Sequence, residues 1–107
     1  MGTFTREVRM IIVRDIFQLK FGRMKEAKDL WKEAQKLFVK HGYEKGRLLT
    51  DVTGPYYTLV SETAYENLSA FEGAMEKMQS LPDFDAWYRK FIPLADSGRR
   101  EVFSIVE

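Results

Sequence analysis

Residues 8–19 read VRMIIVRDIFQL, a run of β-branched and aromatic side chains that predicts a β-strand. Successive side chains of a strand point to opposite faces. Val8, Met10, Ile12 and Ile16 therefore share one face and Ile11, Val13, Phe17 and Leu19 the other, so both faces carry a row of large apolar groups. A sheet covered by helices on one side and by water on the other needs only one such row. Burying a Val, Ile or Phe contributes about 1.5–3 kcal/mol, so a second row left in water forgoes stability and invites aggregation. Both faces of this strand are expected to be covered.

Downstream, Gly22 ends the strand, and Met24, Ala27, Trp31, Ala34, Phe38 and His41 recur at three- and four-residue spacing, widened by Leu30 and Leu37. This is the stripe of an amphipathic helix that ends at Gly42. Residues 46–53 and 57–63 are short and β-prone, and Gly54-Pro55 between them supplies the turn of an antiparallel hairpin. Leu68, Phe71, Met75 and Met78 mark a second amphipathic helix, stopped near Ser80-Leu81-Pro82. Asp83 is the expected N-cap of a short third helix, DFDAWYRKFIPL. Ser97-Gly98 is expected to break the chain before a last strand over Arg100–Glu107, where Val102 and Val106 alternate with Phe103 and Ile105.

At 107 residues the chain is the size of one domain, expected to span residues 1–107. Its 45% hydrophobic and 31% charged residues are those of a globular protein. Lys and Arg number 17 against 16 Asp and Glu, so no net field draws it to nucleic acid or an anionic membrane. With no cysteine there is neither a disulfide framework nor a thiolate nucleophile. Charges at Arg6, Glu7, Arg9, Arg14 and Asp15 interrupt any signal-peptide core or membrane span, which makes the cytoplasm the expected compartment. Phosphate loops, G-x-S-x-G, H-E-x-x-H and an RNP1-like strand are missing from the sequence, which counts against P-loop, common hydrolase and RRM-type functions.

The order β-α-β-β-α-(α)-β is that of an α+β, ferredoxin-like βαββαβ fold: a four-stranded antiparallel sheet with its helices on one face. The helices can cover one side, and no segment is left for the other. A second copy of the same sheet is the simplest cover, so a homodimer with a two-fold interface is expected.

The run FQLKFGRMKEAKDLW from the first strand into a glycine-started helix, the FDAWYRKFIPL helix and the GRREVFSIVE last strand resemble the dimeric α+β barrel superfamily, in particular its NIPSNAP-like and antibiotic-biosynthesis-monooxygenase-like proteins. The resemblance covers about Glu7 to Glu107 and lies in pattern more than in diagnostic motif. It implies a cavity between sheet and helices that takes a small organic ligand. In an enzyme of this kind it implies cofactor-independent monooxygenase or related isomerase-like chemistry. Haem-degrading members of the superfamily combine an asparagine, a tryptophan and a second-helix histidine; the second helix here has no histidine, so that activity is not carried over.

Candidate site residues follow from position. Arg14 and Asp15 are adjacent charges in an apolar strand, so one faces the helices and the other the opposite side. Whichever lines the cavity could bind or polarise a ligand; the other reading of either is an ion pair with Glu62, Asp51 or a second subunit. His41 is the sole histidine, which rules out a one-chain site of several imidazoles, and its place in the last turn of the first helix suits helix-end capping better than catalysis. Trp31 and Tyr57 are candidates to line a pocket for a flat molecule, although a Trp at helical spacing is more often core and a Tyr after Gly-Pro more often strand packing. The Lys28, Lys32, Lys36 and Lys40 row, interleaved with Asp29 and Glu33, reads as a solvated helix face. Neither metal nor cofactor is expected. The reading is thus a homodimeric binder of a small organic molecule, possessing or lacking monooxygenase-like activity, and the alternative is a non-catalytic interaction module.

Overall fold

The computed structural model describes residues 10–106; Val8 and Glu107, expected at the ends of the first and last strands, lie outside them. The elements run β1 (Ile11–Leu19), α1 (Met24–Lys40), β2 (Arg47–Thr50), β3 (Thr58–Tyr65), α2 (Leu68–Gln79), α3 (Pro82–Phe91), a 3-10 turn (Ile92–Leu94) and β4 (Ala95–Ser104). The strands form one sheet in the order β2-β3-β1-β4, antiparallel throughout. This is the ferredoxin-like α+β architecture that the element order implies. No helix among the described residues is long and apolar enough to cross a membrane.

β1 is central and its two rows have different fates. Val13 and Leu19 are buried and Phe17 packs on the core, which also takes Ala27, Trp31 and Ala34 from α1, Leu59 from β3, and Trp87 and Phe91 from α3. The odd-numbered row therefore faces the helices. Ile12 and Ile16 lie on the other side with their cross-strand neighbours Ala64, Val60 and Phe103, and with Leu49 opposite Val60. That face is open: Leu49 is 37% and Phe103 44% exposed.

Three boundaries differ from expectation. Leu81, not Asp83, occupies the N-cap of α3, and Pro82 is its first residue. Proline's fixed φ and missing N–H suit that position, where no intrahelical donor is required. β4 begins at Ala95 and runs through Ser97 and Gly98, which pair with Gln18 and Phe17. Gly98 does not break the strand; a Cβ there would stand 2.9 Å from the Phe17 ring, so glycine makes room for a core aromatic. β3 starts at Thr58 because Tyr57 adopts φ 62°, outside the strand region, and β2 is shorter than expected, ending at Thr50.

Helix ends are set locally. The Asn67 side chain accepts from the Ala70 N–H at 2.8 Å and opens α2. His41 stands at the C-cap of α1, with its backbone N–H donating to Leu37 and Phe38.

Candidate functional site

Three strands and three helices enclose an open cleft of about 750 Å³ on the helix side of the sheet. Its floor follows from register. Phe17 and Gly98 form one cross-strand row of it; Ser61, Asp15 and Arg100 form the next; Thr63 and Val13 form a third. The first row is apolar and the second polar, so the floor changes character within two residues.

Aromatic rings build the wall at the apolar end. Trp31 meets Trp87 edge-on at 4.9 Å, Phe17 meets Phe91 edge-on at 4.8 Å, and Trp87 stacks on Phe91 at 5.4 Å. Trp87 and Phe91 sit four residues apart on α3, as do Trp31 and Gln35 on α1, which turns each pair towards one side of its helix. Trp87 donates its indole N–H to the Leu30 carbonyl at 2.5 Å. Trp31, only 8% exposed, has an indole N–H that is buried without a partner among the described residues.

At the polar end Arg100 donates through Nε to Asp15 Oδ1 at 2.6 Å, and its guanidinium lies 4.9 Å over the Phe71 ring. Phe71 in turn meets Tyr65 edge-on at 5.2 Å. Burial, and secondarily the Asp15 charge, push the Tyr65 phenol above its ordinary pKa, so it stays a neutral donor.

The expected site residues separate into two groups. Asp15 and Trp31 line the cleft. Arg14 is on the opposite face, where Nε donates to Glu62 at 2.7 Å and the guanidinium lies 5.2 Å from the Phe103 ring. Glu62 also takes Arg47 at 2.6 Å; these hydrogen bonds, Arg14's first, hold its carboxyl below the usual range despite its burial. The ion-pair reading thus describes Arg14. His41 and Tyr57 are outside the cleft lining: His41 ends α1, and Tyr57 packs on Phe21 with ring centroids 5.1 Å apart. Sequence reasoning missed Arg100 and Gln35 as cleft residues. Arg100 was readable only as a strand residue, since its pairing with Asp15 spans 85 positions.

No protein-family model matches the sequence, and no curated protein matches it. Solved structures do match in fold. A NIPSNAP family protein from Agrobacterium tumefaciens superposes with a TM-score of 0.79 at 17% identity, over 92% of this chain and 87% of that one. SnoaB, a cofactor-independent oxygenase from Streptomyces nogalater, gives 0.71 at 15% identity over 92% and 94%. A putative antibiotic biosynthesis monooxygenase from Nitrosomonas europaea gives 0.68 at 12% identity over 90% and 88%. The chain shares the fold of NIPSNAP-family and antibiotic-biosynthesis-monooxygenase-like proteins, as its resemblance to them implied.

Proposed function

We propose that this protein binds a small, flat, mostly apolar organic molecule in the cleft between sheet and helices. The Trp31 indole N–H carries the reading. A buried donor without a partner costs about 1–3 kcal/mol, and here it belongs to a residue that lines an aromatic cleft of about 750 Å³, within the size range of ligand sites. The N–H is closed off in this conformation, so an acceptor oxygen on a bound ring would recover that loss once the neighbouring side chains part to admit it. The chain has two tryptophans, so the test is direct. Small aromatic carbonyl compounds are titrated while the two indole N–H signals are followed by NMR, assigned with Trp87→Phe. The Trp31 signal should move with saturation and the Trp87 signal, already bonded to Leu30, should move less. A set of such compounds that leaves the Trp31 signal in place overturns the reading.

The likeness in fold to a cofactor-independent oxygenase supports an enzymatic form. In such a reaction one atom of dioxygen becomes the carbonyl oxygen of a substrate methylene and the other leaves as water with the two methylene hydrogens. The carbon supplies all four electrons, and the protein's part is a dry, oriented pocket. Oxygen uptake with quinol-type and phenolic substrates whose keto tautomers carry a ring methylene, absent in a Trp31→Ala control, is the expected signature; uptake equal to the control leaves a binding protein.

Each cleft belongs to one subunit of a homodimer in this proposal. The open row of Ile12, Ile16, Val60 and Phe103 is the surface that a second sheet would cover.

A further inference from the structure

The charges that line the cleft are nearly all spoken for. Asp15 pairs with Arg100 at 2.6 Å, Asp85 with Arg89 at 3.0 Å, Asp96 with Lys20 at 3.4 Å and Arg99 with Glu101 at 3.0 Å. Lys45 is the exception among the described residues, and it lies between α1 and β2, at the opposite edge of the sheet from Arg100 on β4. At the polar end, then, a ligand meets a neutral pair rather than a free cation.

Within that pair one acceptor is unused, and the Arg100 Nη groups, its guanidinium over the Phe71 ring, make no hydrogen bond among the described residues. Asp15 gives Oδ1 to Arg100, while Oδ2 accepts no hydrogen bond among the described residues. The side chain is 20% exposed, and it lines the cleft beside Ser61, its neighbour on β3. Resting on the small-molecule reading of this cleft, we infer that its polar end selects an uncharged ring bearing a hydroxyl, which donates to Oδ2 of Asp15, and rejects the corresponding carboxylate. A hydrogen bond to an ionised acceptor is stronger than one between neutral groups. A ligand carboxylate would instead set a second negative charge against Asp15 and share with it the one Arg100 guanidinium, weakening the pairing of a mostly buried carboxylate. Asp15 is thus the specificity-determining residue of the site. Tyr65, held protonated nearby, adds a neutral donor and no charge.

Equilibrium dialysis of the full chain at neutral pH against 2-naphthol, 2-methoxynaphthalene and 2-naphthoate tests this. The three share a ring and differ at one substituent. Naphthol should bind about tenfold more tightly than the methoxy compound, which lacks the donor, and naphthoate should bind most weakly. In Asp15→Asn the naphthol advantage should collapse and naphthoate should gain, with the methoxy compound unchanged; the wild-type ranking stands alone if that variant does not fold. Methoxynaphthalene binding as tightly as naphthol overturns the inference while the cleft reading stands. Naphthoate binding as tightly as naphthol also overturns it, and points to Lys45 or the Arg100 Nη groups as its partner. Binding of none of the three overturns the small-molecule reading itself.

Discussion

Trp31 and Glu62 are both buried and polar, and they differ in what surrounds them. Glu62 is met by two guanidinium groups, whereas the Trp31 N–H is met by none. Replacing Trp31 by Phe keeps an aromatic ring and removes the orphan donor, so lost packing and the relieved polar penalty oppose each other. Trp31→Phe should stay within about 1 kcal/mol of wild type in urea unfolding, against about 3–5 kcal/mol for Trp31→Ala. Glu62 makes a pH prediction. Its folded carboxyl is depressed below the ordinary 4.5, so its contribution is complete above that value and is lost as pH falls through the lower, folded one. Glu62→Gln should be less stable at pH 7 by about 1–3 kcal/mol. Its stability should also fall less steeply than the wild type's below pH 4.5, and parallel acid limbs would contradict the pairing. At this scale Glu62 was legible as a partner for Arg14, because opposite charges on short strands seek one another. Trp31's missing partner was not legible, because spacing places a ring on a helix face and says nothing of where its N–H points.

Glycines at element ends separate conformational from steric demand. Gly42, past the end of α1, has φ +87° and open space within 4 Å of where a methyl group would stand, whereas at Gly46, with φ +69°, a Cβ would meet Thr63 Oγ1 and the Glu62 carbonyl oxygen, the latter at 2.6 Å. Gly42→Ala should cost about 1 kcal/mol, the strain of a left-handed alanine alone. Gly46→Ala adds a clash with backbone and should cost about 2–4 kcal/mol, read as a larger shift of the urea midpoint. Gly98 is a third case: it lies inside β4 because of Phe17, two strands' worth of packing that no local rule reports. Ser97-Gly98 carried the composition of a turn, and pairing with β1 overrode it. Pro82 likewise read as a stop for α2 and serves in addition as the first residue of α3.

For the whole molecule the open sheet face is decisive. If a second copy covers it, light scattering after gel filtration should report about twice the chain mass of 12.6 kDa. Ile12→Arg, which places a charge between Ala64 and Phe103, should halve that mass with the helix signal in circular dichroism retained. A wild-type monomer at micromolar concentration would overturn the two-sided reading of the sheet.

The sequence by itself determined the order of elements, the amphipathic stripe of α1 and the two apolar rows of β1, because each is a periodicity carried by neighbouring residues. Only the tertiary structure decided which row meets the helices. Both rows are apolar, so alternation alone could not say whether Arg14 or Asp15 turns into the cleft. Packing against Trp31 and Phe91 settles it by burying the odd-numbered row. Register then brings Arg100 to Asp15 from 85 positions away, a distance over which the one-dimensional pattern holds no information.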